Sequence, residues 1–228
     1  MKTQIRIWDL PTRLFHWLLV TAMIAAFVTG ELGGGLMDWH GRIGLGIVGL
    51  LAFRLVWGVL GSTYARFIQF FPTPAKIRAY LAGEWRGQGH NPLGALSVLG
   101  LLGIVGLQLA TGLVANDDIA FRGPLLDLVG RDWSDRLTSV HHLVSKGILL
   151  LVALHVGAIM FYAHVRKHNL VRPMLTGEAE GEPAESAQGG GFLALLVALV
   201  LAAGAVYLAS GAWMPAPPPP PVVETPNF

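Results

Sequence analysis

The stretch His141-His142-Leu143-Val144-Ser145-Lys146-Gly147-Ile148-Leu149-Leu150-Leu151-Val152-Ala153-Leu154-His155-Val156 decides how the chain is read. It is an apolar helix with a histidine near its start and another deep inside. Ionisable groups within a bilayer are rare, and where they occur they mark function. His141 and His155 are fourteen residues apart, which on an α-helix is about 21 Å of rise and roughly 40° of rotation. They share a face. His142 and His155 are thirteen apart and point roughly 140° away from each other. His141 is therefore the better ligand candidate, with His142 beside it at the membrane edge.

Composition sets the class. Of 228 residues, 53% are hydrophobic and 13% charged, with mean hydropathy +0.55, whereas a soluble domain is about a quarter charged. The chain reads as an all-α integral membrane protein. It has no cysteine, which excludes disulfides, iron-sulfur clusters, thiolate ligation and covalent c-type haem. The pI near 9.2 reflects basic residues flanking apolar runs, a topology signal and not a nucleic-acid surface.

Around the opening helix the chain divides into four spans and a fifth. Lys2, Arg6 and Arg13 precede the first apolar run, Leu14 to Val28, and the span itself begins near Leu10 with Pro11 in the first turn. No small-residue cleavage site follows it, and Phe15-His16-Trp17 lies inside it, which argues against a signal peptide. Asp38 is the expected cap of a second helix that carries His40 and runs to about Leu60, with Arg54 fourteen residues past His40 on nearly the same face. Residues 61–92 read as a polar loop, and 93–115 as a span without histidine. Residues 116–139 read as an acidic loop ahead of the fourth span, Ser139 to Tyr162. The expected organisation is a four-helix membrane domain over 1–175, a flexible linker over 176–191, an extra transmembrane helix over 192–210, and a Pro-rich tail over 211–228. Ten Lys and Arg fall on the N-terminal side of the membrane against four on the other, which places the N-terminus in the cytoplasm and the C-terminus outside.

Depth pairs the histidines. His16 lies about 9 Å into its helix from the N-terminal side, and His155 lies at about the same depth from that side. His40 and His141 both lie near the opposite ends of their helices. A helical bundle with two such levels suits two haems, each held between two histidines, with no open position on the iron and hence electron transfer as the task. Arg54 near the end of its helix would pair with a haem propionate, a bidentate anion for a buried guanidinium, and Lys146 could serve the other haem. A histidine-lined metal transporter or sensor would want its ligands converging at one depth, and a membrane anchor or scaffold would leave the pairs without a purpose.

Trp8-Asp9-Leu10-Pro11-Thr12-Arg13-Leu14-Phe15-His16-Trp17, His40 followed by Gly44 and Arg54, and the His141/His155 spacing together resemble the bacterial cytochrome b-five-six-one superfamily, which includes b-type cytochrome subunits of nickel-iron hydrogenases. The resemblance covers residues 1 to about 175. It implies a four-helix bundle with two b haems, His16 and His155 on one and His40 and His141 on the other. It also implies a place in the bacterial inner membrane, passing electrons between the quinone pool and a periplasmic redox partner, a c-type cytochrome or a hydrogenase-like protein. The chain departs from the pattern at His142, where such proteins often carry an acid. The fifth span and tail lie outside the resemblance.

Overall fold

A computed structural model describes residues 3–215; the proline run expected in the tail lies outside the described residues. Strand β1 (Thr3–Arg6) leads into α1 (Leu10–Leu32), capped by Asp9, whose side chain accepts the Thr12 N–H at 2.7 Å. Gly33 and Gly34 both take positive φ, which glycine adopts without strain, and turn the chain into α2 (Met37–Leu60). Asp38 is not the cap: a 3₁₀ turn over Gly34–Leu36 runs straight into the helix and leaves Asp38 in the first turn, where its charge still favours the helix dipole.

The stretch 61–92 is more than a polar loop. It folds α3 (Phe67–Phe70) and α4 (Pro74–Leu81), with Phe70 buried and Thr73 capping α4 at Lys76 N–H. Helix α5 (Pro92–Gly112) is capped by Asn91, whose Oδ1 accepts the Gly94 N–H at 2.7 Å. Helix α6 (Arg131–His164) starts eight residues before the expected Ser139. The added turns are amphipathic and lie beyond the apolar window that hydropathy detects. Fully buried Ser134 ties them down, donating to the Val114 carbonyl and accepting from Asn116 Nδ2, both at 2.6 Å.

After α7 (Val171–Thr176) the segment expected as a flexible linker instead carries β2 (Glu178–Gly181), which pairs antiparallel with β1 from Thr3↔Gly181 to Arg6↔Glu178. The two strands are too short and too charged to register as a pattern, and it is the fold that pairs them. The strap continues past Thr63, which exchanges hydrogen bonds with Gln188, and enters α8 (Phe192–Ala209). Helix α8 packs on α2 through Ala198 and Ala202, against Phe15, Phe53 and Trp57.

Among the described residues five helices, α1, α2, α5, α6 and α8, are long and apolar enough to cross a membrane, with mean hydropathy from 1.5 to 2.6. Their apolar outer faces, such as Ile24, Leu143, Leu150 and Leu193, are exposed as lipid-facing residues are. Close packing joins α1 to α2, α2 to α8 and α5 to α6; α6 does not pack closely on α1 or α2.

Candidate functional site

The histidines come from α1, α2 and α6, and α6 stands off from the closely packed α1–α2 pair. At one level His40 and His141 face each other, ring centres 6.1 Å apart and planes at 83°. This is roughly the span of two imidazoles sharing one metal at about 2 Å per bond. The His40 ring donates Nδ1–H to the Ala26 carbonyl at 2.8 Å, and His141 donates Nδ1–H to the Gln108 carbonyl at 3.0 Å. A carbonyl only accepts, so both rings carry the proton on Nδ1 and keep the Nε2 lone pair available, the orientation that ligating histidines use. In His141 that lone pair accepts from the Gln108 amide at 3.0 Å. Two glycines make the fit close: a Cβ on Gly30 would stand 3.0 Å from His40 Nδ1, and one on Gly112 would stand 2.8 Å from His141 Cε1.

The second level lies about 21 Å along the unbroken α6. His16 and His155 are within electrostatic range of each other there. The His155 Nδ1 meets Ser97 Oγ at 3.4 Å, beside a 250 Å³ cavity lined by Ser97, Gly100, Leu101, Leu151 and Ala158. The His16 Nδ1 is buried and makes no hydrogen bond. Arg54 belongs to this level. It is 3% exposed, its guanidinium lies 4.6 Å from the Phe67 ring, and its Nη1 is buried without a partner. A buried, unpaired cation beside a histidine pair fits an anionic group such as a propionate. Lys146, by contrast, is exposed.

Of the four glycines after His40, Gly41 admits Phe121 and Gly49 admits Val206 of α8, while Gly44, on the His40 face, borders open space. Space at Gly44, the unengaged Nε2 of His40 and the orphaned Arg54 nitrogen are what a flat, anionic macrocycle would use, so the residues present fit haem.

His90 joins the second level unannounced by the sequence. It packs between Trp8 and Phe70, ring centres 4.6 and 4.8 Å away, and lines a 240 Å³ cavity with Tyr64, Gln69, Lys76, Trp85 and Gln88. Burial, then the charge of Arg54, then His155 and His16, push its pKa down to about 3, so it is neutral. Asp9 and Trp57 were also missed: the Asp9 Oδ2 accepts Trp57 Nε1–H at 3.0 Å, bridging the start of α1 to α2. The one available hint was Asp9 inside the Trp8–Trp17 motif. His142 is exposed, one residue off the face that His141 and His155 share. No group of three or more metal-ligating side chains occurs among the described residues.

A multi-pass helical bundle with histidines matched in depth defines a haem-carrying membrane cytochrome as its class. Comparison narrows it: residues 7–177 match the family model for prokaryotic cytochrome b561, and the chain belongs to that family. A probable Ni/Fe-hydrogenase B-type cytochrome subunit of Azotobacter vinelandii is 25% identical over 214 residues, covering 77% of this chain and 88% of the relative. The similarly named proteins of Bradyrhizobium diazoefficiens and Rhodobacter capsulatus are 22% and 24% identical, covering 78% and 77% of this chain and 87% and 81% of theirs. No solved structure matches. The protein is thus a membrane b-type cytochrome of electron transfer. The family match ends at residue 177 and leaves α8 outside it.

Proposed function

We propose that this protein carries electrons across the bacterial inner membrane between the quinone pool and a periplasmic redox partner, using two b haems held by His16 with His155 and by His40 with His141. The observation that carries the reading is the pair of levels on one face of α6, one where His40 of α2 faces His141 and one where His16 of α1 lies within electrostatic range of His155. When bound, each haem would supply a reversible one-electron centre, and the histidine pairs would be the residues that hold it. The protein's part is ligation, spacing and electrostatic tuning. The Ala26 and Gln108 carbonyls hold the His40 and His141 rings in the ligating tautomer. Arg54 binds a propionate at the other level, and the apolar walls keep water away.

The partner is a hydrogenase-like protein, as the names of the relatives suggest, or a c-type cytochrome. It docks on the side where α2 and α6 begin. Two of the acids there are already paired, Asp127 with Arg122 at 2.6 Å and Asp118 with Arg131. On the opposite side the cavity beside His90 gives a quinone headgroup a place near the His16–His155 level. The test is reconstitution in vesicles and addition of a short-chain quinol. Reduction of both haems in sequence is expected, and a protein whose haems quinol leaves oxidised would remove the quinone from the account.

A further inference from the structure

Asp9 does more than a helix cap requires. Serine, threonine or asparagine caps equally well from solvent with one oxygen. Asp9 is 9% exposed and uses both oxygens: Oδ1 accepts Thr12 N–H at 2.7 Å, and Oδ2 reaches α2 to accept Trp57 Nε1–H at 3.0 Å. Trp57 is 1% exposed and stands three residues after Arg54. Residues three apart share a helix face, so a carboxylate bonded to Trp57 is delivered beside Arg54. The two charges are within electrostatic range without forming an ion pair. His90, from the loop before α5, lies within electrostatic range of Arg54, of His16 from α1 and of His155 from α6, and Glu185 lies farther out, bonded to Gln88 at the rim of the His90 cavity. Asp9 is the acid that acts on Arg54.

We infer that Asp9 is a positioning residue: it offsets the charge of Arg54 and thereby sets the redox potential of the haem at the His16–His155 level. The inference rests on the reading above that this pair holds a haem. A reduced haem carries one more electron than an oxidised one, so a nearby negative charge disfavours reduction and a nearby positive charge favours it. In a low-dielectric interior such charges are poorly screened. Asp9 therefore holds this potential down, and Arg54 holds it up.

The experiment is an optical redox titration of the purified full-length protein, with the relevant haem identified by its loss in His155→Ala. Asp9→Asn is expected to raise the reduced-to-oxidised ratio of that haem at fixed ambient potential on the order of tenfold, about 59 mV for a one-electron couple, and to leave the other haem unmoved. Arg54→Met moves the same haem the opposite way. Trp57→Phe removes the hydrogen bond while keeping both charges, and shifts the ratio less than about threefold, which a merely structural role for Asp9 would not predict. Should Asp9→Asn fail to retain the haem, Asp9→Glu restores both haem and midpoint. An unshifted midpoint in Asp9→Asn overturns this inference alone, as does loss of haem in both Asp9 variants. Wild-type protein without a haem at this level overturns the haem reading as well.

Discussion

Gly112→Ala is a single-methyl test of the His40–His141 level. A Cβ there would stand 2.8 Å from His141 Cε1 and 3.1 Å from Nδ1, where ordinary contact begins near 3.4 Å. The ring must retreat about 0.6 Å from α5. The same movement stretches the 3.0 Å bond from His141 Nδ1 to the Gln108 carbonyl to about 3.6 Å, beyond hydrogen-bond reach. Loss of such a supporting bond lowers metal affinity about 10–100-fold. Gly112 closes α5 without a positive φ, so alanine suits its backbone and the fold is not what suffers. The assay is haem per chain together with the rate of haem transfer to an acceptor protein. One haem leaves at least tenfold faster than in the wild type, and the other is unaffected. Gly157→Ala, on α6 where nothing lies within 4 Å, is the control. A Gly112→Ala protein that keeps both haems at the wild-type transfer rate would refute the reasoning.

Other outcomes follow from the same geometry. His141→Ala loses one haem and His142→Ala loses none, read as haem per chain; equal retention in both would defeat the assignment of His141. His90 is neutral in the folded protein down to about pH 3, whereas the unfolded chain titrates near 6.5. Stability is therefore lost as pH falls through that window, and between pH 7 and pH 5 the wild type should lose about 1–2 kcal/mol more than His90→Gln in detergent melts. Gly177 has φ +89, and its Cβ would stand 2.7 Å from the Trp8 carbonyl. The Gly177 carbonyl accepts the Ile7 and Trp8 N–H groups. Gly177→Ala should cost about 1–2 kcal/mol in the same melts, and no change in melting would mean that this clasp is not formed.

The membrane class and the five spans were legible because hydropathy over about twenty residues is a strong signal, and the depth of each histidine followed from counting. What hydropathy could not see lies beyond the apolar windows. The amphipathic start of α6 at Arg131 is held by Ser134, and the short α3 and α4 by caps and aromatic contacts. The β1–β2 pair joins stretches some 175 residues apart, four residues each, with too few side chains to show alternation. Asp38 misled because a capping residue type says nothing of the 3₁₀ turn ahead of it. At the site, the fourteen-residue spacing exposed the histidines of α6, but their supports, Gln108, Thr111 and Ser97 on α5, come from a helix without a histidine. His90 stands in the loop before α5, and its burial comes from Trp8 and Phe70, which other parts of the chain bring to it.

The central claim is two haems on two histidine pairs. The most direct test is non-covalent haem per chain, with a reduced-minus-oxidised spectrum, for the wild type and for His16→Ala, His155→Ala, His40→Ala and His141→Ala, each produced with ample haem. Two b haems are expected in the wild type and one in each variant, with the first two variants sharing one residual spectrum and the last two sharing the other. One haem or none in the wild type, or residual spectra that pair the histidines differently, would contradict it.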